Sequence, residues 1–166
     1  VNFMFREMRR KKQELTPEEC DAVLYRGSSG VLALSGDDNY PYAVPLSYVY
    51  DGKKLYFHCA KSGHKLDAVL RNPKASFCVI DKDLVVPEEY TTYFQSVIVF
   101  GTMRILENEQ EIQKSAEKLA LKYAPDDSEK RRLEEIARFQ NNLCMLEMNP
   151  AHISGKLAKE LIKKFV

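Results

Sequence analysis

Several marks of specialised protein classes are missing from this sequence. Its four cysteines, at positions 20, 59, 78 and 144, form no C-x-x-C pair, so reduced and buried thiols in a cytosolic protein are the simplest interpretation. No apolar run approaches the ~20 residues of a membrane span, and the first residues lack the apolar centre of a signal peptide. We therefore expect a cytoplasmic protein that has no membrane as a partner.

Neither sign of charge dominates the chain. The 25 Lys and Arg residues are balanced by 24 Asp and Glu residues, for a net charge of +1, which does not suit a protein that binds polyanions with its whole surface. A basic cluster at residues 9–12 is flanked by Glu7 and Glu14, so no nucleic-acid partner is expected. The length of 166 residues, with 45% hydrophobic and 30% charged residues, predicts one well-packed domain over residues 1–166.

Hydrophobic periodicity predicts a mixed fold. Thr16, Pro17 and Glu19 form a capping box that begins a helix, and this helix ends near Gly27. Further helices are predicted over residues 112–123, over 128–139 and after Gly155. Strands are predicted over residues 31–34, 40–50, 55–58, 74–80, 93–106 and 143–148, with a hairpin turn at Asp51-Gly52 and a bulge at Gly101. Antiparallel-looking strands with separate helices indicate an α+β fold built on a small closed barrel.

The junction between a strand and a helix at residues 56–65 is the most informative segment. Ser62 has the character of an N-cap, and three cations crowd this end of the helix, namely Lys61, His64 and Lys65. Only Asp67 is near in sequence to offset them, and cations are unfavourable there because the helix dipole already makes that end positive. A bound phosphate would explain the arrangement, since free N–H groups, a hydroxyl and lysines all bind anions. The alternative is a solvated basic turn that tolerates weak repulsion.

Two prolines make the second predicted strand unsuited to the middle of a sheet. Pro41 and Pro45 each remove a ladder donor. The backbone groups of Leu46, Ser47 and Tyr48 would then be free on one side, where a flat heterocycle would pair with them in place of a strand. The alternative is an ordinary edge strand whose prolines discourage aggregation. A ligand with both a ring and a phosphate accounts for this strand and for the helix start together.

The histidines do not form a metal-binding pattern. His58 and His64 lie six residues apart across the strand–helix junction, and His152 is far away, so no metal site is expected. No nucleophile-elbow motif is present, and hydrolase chemistry is not expected either. After Gly155, apolar residues at helical spacing predict a short basic amphipathic helix docked on the domain; they are Leu157, Leu161, Ile162 and Phe165.

These segments together resemble a known family. Residues 44–51, 55–60 and 63–65 read VPLSYVYD, LYFHCA and GHK. Their succession resembles the FMN-binding split barrels related to pyridoxamine 5′-phosphate oxidase, most closely the nitroimidazole-resistance (Nim-type) flavoproteins. Supporting features follow in the expected order: the basic residues 9–12, then Ser96-Val97 and Gly101 in the long strand, and then residues 153–156. The resemblance therefore covers nearly the whole chain.

The resemblance implies a six-stranded antiparallel split β-barrel with peripheral helices, assembled as a homodimer with FMN at the interface. The residues implied to line the isoalloxazine ring are Pro45, Leu46, Ser47 and Tyr48. Those implied around the ribityl phosphate are His58, Ser62, His64 and Lys65, and Cys59, Ala60 and Gly63 are further implied cofactor-binding residues. Tyr93, Ser96 and Val97 of the other subunit would close the site. The chain has no C-terminal Arg-x-His element of the kind that grips a pyridoxal substrate, so vitamin B6 oxidation is not expected.

By the same resemblance, the expected activity is an FMN-dependent reduction of a small electron-poor substrate, such as a nitroimidazole. The cofactor would carry the redox chemistry and the protein would position it. His58 is the candidate catalytic residue, because the pKa of an imidazole lies near neutrality and suits proton transfer. A hydrogen bond from His58 that only fixes the loop is the open alternative. The second hypothesis is a non-catalytic flavin- or heme-binding protein for storage or sensing.

Overall fold

The computed structural model describes residues 4–162 as an α+β fold of seven antiparallel strands and four α-helices. The strands are β1 Ser29–Ser35, β2 Pro41–Ser47, β3 Val49–Tyr50, β4 Leu55–Cys59, β5 Lys74–Val86, β6 Thr91–Ile105 and β7 Cys144–Leu157. The helices are α1 Pro17–Arg26, α2 His64–Arg71, α3 Glu109–Tyr123 and α4 Glu129–Phe139. None of the helices in this range is long and apolar enough to cross a membrane.

The start of α1 confirms the predicted capping box. The Glu19 N–H donates to the Thr16 hydroxyl oxygen at 3.2 Å, and the Thr16 N–H donates to the Glu19 carboxylate at 2.8 Å. Two donors that would otherwise be unpaired at the helix start are satisfied in this way. The α3 and α4 helices also lie where the periodicity predicts them, with Asn108 and Ser128 as their N-caps.

The sheet has two edge strands that are consecutive in the chain. Its strand order is β2-β1-β5-β6-β7-β4-β3, so β2 and β3 lie at opposite edges although Tyr48 alone separates them in the chain. The predicted strand over residues 40–50 is divided at Tyr48, and the sheet therefore has seven strands rather than six. In the described part of the chain no hydrogen-bonded ladder joins the two edges.

The break at Tyr48 follows from where its side chain lies. The ring is fully buried and packs edge-on against Phe77, with 5.0 Å between ring centroids, and Phe77 packs in the same way against Phe57. The Tyr48 hydroxyl donates to the Leu24 carbonyl in α1 at 2.7 Å, and burial raises the pKa of Tyr48. Tyr48 therefore anchors the strand break in the main core, and a smaller apolar cluster lies under α3 and α4.

The helix predicted after Gly155 is wrong at its start, because β7 continues to Leu157. This part of β7 pairs with β6, for example Gly155 with Val97 and Leu157 with Gln95. The ladder gives these residues backbone partners that the local helical spacing of leucines does not reveal. Only a short 3-10 turn follows, at Lys159–Leu161, and Phe165 lies outside the described residues. The predicted bulge at Gly101 is confirmed by a register shift between Phe100 and Gly101.

Candidate functional site

Two strand ends face each other without a ladder between them. Residues 45–47 of β2 pair with β1 on one side only. Residues 57–59 of β4 pair with β7 but not with β3, which covers only Leu55 and Tyr56. Ser47 and His58 line one shared cavity, which shows that the two free edges are close together. We call this gap between residues 45–47 and residues 57–59 the split.

Tyr123, at the end of α3, holds one end of the split. Its hydroxyl oxygen accepts from the Tyr48 N–H at 3.1 Å. The hydroxyl proton faces two carbonyl oxygens, that of Ser28 and that of Tyr48, the latter at 3.0 Å. The neighbouring Lys122 donates to the Gly27 carbonyl and lies 4.1 Å from the centroid of the Tyr48 ring. The backbone of Tyr48 is therefore not free, contrary to the expectation from the prolines.

The remaining residues of that predicted edge segment differ in exposure. Pro45 and Ser47 are exposed, while Leu46 between them is half-buried and packs against the main core. The edge of β2 that a ring would meet is therefore formed by the backbone of residues 45–47 and by the exposed side chains of Pro45 and Ser47.

Helix α2 begins one residue later than the sequence predicts. Its N-cap is Gly63, at φ +131°, and not Ser62. This backbone conformation favours glycine, and a Cβ at Gly63 would meet no atom within 4 Å. The Asp67 N–H makes the first intrahelical bond, to the Gly63 carbonyl at 3.1 Å. The N–H groups of His64, Lys65 and Leu66 precede that bond and point out of an open helix start.

The charges at the start of α2 are offset by a residue that is distant in sequence. The His64 ring stacks on Tyr42, with 3.9 Å between centroids, and its Nε2 lies 3.7 Å from an Asp37 carboxylate oxygen. Asp37 also pairs with Arg71 at 3.0 Å. The expectation that only Asp67 offsets the cations is therefore wrong, because the turn after β1 brings Asp37 to this helix.

Lys65 is half-buried at the start of α2 and close enough to the end of β4 to act on Cys59. Cys59, at that strand end, lies directly opposite Cys144 of β7. Burial raises the pKa of the Cys59 thiol to about 11, Cys144 adds to the effect, and the ammonium of Lys65 opposes it. The thiol is therefore protonated at neutral pH, and Lys65 lies close enough to influence the split electrostatically. Lys61 and Ser62 are exposed beside the helix start.

His58 is exposed, because it points away from the core that Phe57 enters from the same strand. It opens into a cavity of about 680 Å³ between the split and the helices α3 and α4. We call this the α3–α4 cavity. Its lining includes Ser47, His58, Cys59 and Ala60 from the split, and Leu119, Ala120, Tyr123, Arg132, Ile136 and Met145 from the surrounding elements. Four predicted cofactor residues thus meet in one space.

The predicted residues on β6 lie elsewhere in the same chain. Strand β7 separates β6 from β4. Val97 is fully buried in the core of its own chain, so its side chain is not available to a neighbouring subunit. The Tyr93 hydroxyl donates to Glu89 at 2.7 Å, and Ser96 is half-buried opposite Lys156 on the outer side of the sheet.

Two residues that shape the site escape prediction from the sequence. Tyr123 belongs to the apolar periodicity of α3, and that pattern indicates packing but not the bonds it makes at Tyr48. Arg132 is one of several charged residues in α4, and nothing in their spacing distinguishes the one that lines the cavity. Their roles depend on how α3 and α4 dock against the sheet.

The chain belongs to the pyridoxamine 5′-phosphate oxidase family, because the model of that family matches residues 16–157. A Rhizobium meliloti (strain 1021) protein with the name uncharacterized protein RA0666 is 36% identical to it over 67 residues. This match covers 40% of the chain and 43% of the relative, so it spans less than half of that protein.

Solved structures share the fold at low sequence identity. Protein Rv2991 from Mycobacterium tuberculosis has a TM-score of 0.80 at 16% identity over 96% of both chains. A candidate 5-nitroimidazole antibiotic resistance protein from Bacteroides thetaiotaomicron has a TM-score of 0.73 at 16% identity, over 87% of this chain and 86% of that one. A FAD and heme binding protein from Mycobacterium smegmatis has a TM-score of 0.70 at 19% identity, over 92% and 76%. At such identities the likeness establishes the fold alone.

Proposed function

We propose that this protein is an FMN-dependent reductase of small electron-poor molecules, with nitroimidazole-type nitro compounds as candidate substrates. The observation that carries the proposal is that two open features lie on β2: residues 45–47 have a free edge, and the cationic start of α2 packs on the same strand through the stacking of His64 on Tyr42. A planar ring with a phosphate tail has the chemistry to bind both. Membership of the family, and a fold shared with a candidate nitroimidazole-resistance protein, support this choice.

The start of α2 fits a phosphate. Gly63 leaves open space where any other residue would place a side chain, and three backbone N–H groups follow it without an intrahelical acceptor. Oriented N–H groups at a helix start bind anions, and Lys65 adds a charge from a half-buried position. His64 is already engaged by Asp37 and Tyr42, so we assign the larger share of phosphate affinity to Lys65.

A homodimer is part of this proposal, since the outer face of the sheet carries two rows of residues without a carboxylate, ammonium or guanidinium group. The first row is Pro45, Val31, Cys78, Ile98 and Ser154; the second is Ala43, Ala33, Ser76, Phe100 and His152. Phe5 stacks on the second row, while Val31 and Ile98 in the first row are each 39% exposed. Apolar faces of this kind are commonly buried between identical subunits.

The dimer proposal places the second copy beside the flavin edge, because Pro45 ends the first row. Tyr93 and Ser96 of the partner subunit would then close the ring site. Light scattering is expected to give a dimer at micromolar concentration, and Ile98→Lys is expected to give monomers because it buries a charge in the interface. A wild-type monomer at that concentration contradicts this part of the proposal.

FMN, when bound, supplies the hydride-transfer chemistry. The chain would contribute placement of the ring along β2, anchoring of the phosphate at α2, and a proton held on the exposed His58 at the mouth of the α3–α4 cavity. His58→Gln keeps a hydrogen-bonding side chain that does not titrate near neutrality. A proton-donor role requires turnover to fall at least ~100-fold while FMN remains bound; normal turnover in this variant assigns His58 to loop structure.

The cofactor is tested by titrating the apoprotein with FMN, FAD and riboflavin while flavin fluorescence is measured. FMN is expected to bind most tightly, since the open start of α2 accepts a terminal phosphate and no Gly-rich adenine-binding turn is present. Lys65→Ala is expected to weaken FMN about ten- to a hundredfold and to leave riboflavin affinity unchanged. Lys53→Ala removes an exposed charge in another turn and serves as the control. Equal affinity of the wild type for FMN and riboflavin contradicts the phosphate site.

A non-catalytic flavin- or heme-binding role is the second candidate, and the shared fold with a FAD and heme binding protein favours keeping it. The two candidates differ in one measurement. After anaerobic photoreduction of the flavin-loaded protein, a nitroimidazole is added and flavin absorbance is followed. Rapid reoxidation with consumption of the nitro group supports the reductase. An intense heme band in the purified protein, or no reoxidation by nitro compounds, supports the binding role.

A further inference from the structure

The α3–α4 cavity has an apolar body. Leu119, Ile136 and Met145 form part of its wall, and these side chains belong to the smaller apolar cluster of the fold. Alanines at positions 116, 120 and 124 recur every four residues along α3 and leave the space beside the helix unfilled. A volume of about 680 Å³ falls within the range of cavities that bind small organic molecules.

The two carboxylates in the lining are already paired. Asp127 lies 3.4 Å from the Arg131 guanidinium, and Glu135 lies 3.6 Å from that of Arg138. Neither of these arginines lines the cavity. Both carboxylates in the lining therefore pair with arginines outside the cavity, and neither pairs with a cation inside it.

Arg132 lines the cavity and has no carboxylate partner among the described residues. It is half-buried in the lining, and its one hydrogen bond among the described residues is a 3.4 Å contact from Nη1 to the Asp127 carbonyl. Its Nε is buried and has no acceptor within the described part of the chain. A buried donor without a partner is unfavourable, and a guanidinium binds carboxylates through two parallel N–H groups. A carboxylate that enters from the cavity would pair with the end of this guanidinium, whose Nη2 makes no hydrogen bond among the described residues.

We infer that the α3–α4 cavity is a binding site for an apolar carboxylate, with the carboxylate on Arg132 and the hydrocarbon or aromatic body against Leu119, Ile136 and Met145. The site is separate from the phosphate site, because Gly63, Lys65 and the rest of the α2 start do not line the cavity. The inference does not depend on which flavin the protein binds. It meets the proposed flavin site only at the split.

The probe is 2-naphthoate, with 2-methylnaphthalene as a neutral ligand of nearly the same shape. Calorimetric or fluorescence titration of the wild type is expected to show a preference for the carboxylate of roughly ten- to a hundredfold, the range of a charge-assisted hydrogen bond. Arg132→Gln is expected to abolish this preference while the affinity for 2-methylnaphthalene stays unchanged, and Arg132→Lys is expected to keep part of it. A purely structural role of Arg132 would not move the ratio of the two affinities.

Two further variants complete the test. Lys130→Gln removes a cation on the same helix whose side chain is 87% exposed. This variant is expected to leave the preference for the carboxylate intact. Ala120→Leu fills the cavity and is expected to weaken both ligands together. The inference is overturned if the wild type binds neither ligand, if it binds both equally, or if Arg132→Gln retains the preference in a folded protein.

The relation to the flavin site is tested in the same titrations. Lys65→Ala is expected to retain naphthoate binding, and Arg132→Gln is expected to retain FMN binding. Failure of FMN to bind with naphthoate affinity intact would contradict the proposed function and leave this inference standing. Strict competition between FMN and naphthoate in the wild type would overturn the inference, since the cavity would then be the flavin site itself.

Discussion

Removing the hydroxyl of Tyr123 tests how the split is held. This hydroxyl accepts from the Tyr48 N–H at 3.1 Å and faces the Tyr48 carbonyl at 3.0 Å. No strand within residues 4–162 pairs with the chain at this position, so the hydroxyl substitutes for a missing ladder partner. In Tyr123→Phe the ring and its packing remain, and the backbone N–H of Tyr48 loses its acceptor.

The magnitude follows from the bonds that are lost. A phenol hydroxyl donates one hydrogen bond and accepts the one from Tyr48, and each contributes about 1 kcal/mol net. Tyr123 is 44% exposed, so water replaces part of the loss. We expect the free energy of unfolding to fall by about 1–2 kcal/mol, which corresponds to a decrease in Tm of roughly 2–8 °C for a chain of this size.

Urea unfolding monitored by circular dichroism measures the global effect, and amide hydrogen exchange measures the local one. The Tyr48 amide is expected to exchange at least ~10-fold faster in Tyr123→Phe, as a loss of about 1.4 kcal/mol implies. Tyr40→Phe is the matched control, because that side chain is 76% exposed, and it should change stability by less than ~0.5 kcal/mol. If both variants behave alike and the Tyr48 amide keeps its exchange rate, Tyr123 does not hold the split.

Three other outcomes are expected. Glu147→Ala should lower the free energy of unfolding by about 2 kcal/mol in urea titration, since it removes a buried carboxylate that lies 3.1 Å from Arg104; a change below ~0.5 kcal/mol would contradict the pairing. In Asp51 burial raises the pKa, but the Lys118 ammonium and two backbone N–H groups outweigh it and lower the pKa overall. This stabilisation is fully present above pH ~4, the ordinary pKa of an aspartate, and is lost as the pH falls through the lower pKa of the folded state. Asp51→Asn should therefore be less stable than the wild type at pH 7 and should lose less stability than the wild type on acidification. Alkylation of Cys59, whose pKa burial raises to about 11, should be slow and should accelerate about tenfold per pH unit between pH 7 and pH 9; a rate independent of pH would mean that the thiol is already ionised.

The parts of this protein that the sequence predicts correctly are those whose causes lie within a few residues. The Thr16 capping box needs only Glu19, three residues away, and the α1 helix forms as predicted. The turn at Asp51-Gly52 depends on one glycine at φ +92° and on the Asp51 carboxylate, which accepts from the N–H groups of Lys53 and Lys54. The cluster of open backbone N–H groups at residues 64–66 is likewise visible from the pattern of residues 56–65, although the cap itself is Gly63 and not Ser62.

Errors arose where a distant partner overrides a local preference. The apolar residues after Gly155 have helical spacing, but pairing of Lys156 and Leu157 with β6 gives their backbone groups a ladder that an exposed terminal helix would lack. His64 looked like an uncompensated cation, because Asp37 is 27 residues earlier in the printed sequence and only the fold brings it within 3.7 Å.

The sequence alone determined the order of strands and helices, the family resemblance and the position of the cationic helix start. Each of these depends only on local spacing and residue type. What only the tertiary structure decided is how the free strand edges meet. Tyr48 divides one strand because its ring fills the core, Tyr123 takes the place of a ladder partner, and Arg132 is the one arginine of α4 that enters the lining of the cavity. These depend on packing between segments that are distant in the sequence, as the contact between Tyr48 and Tyr123 over 75 residues illustrates, and no local pattern encodes such a contact.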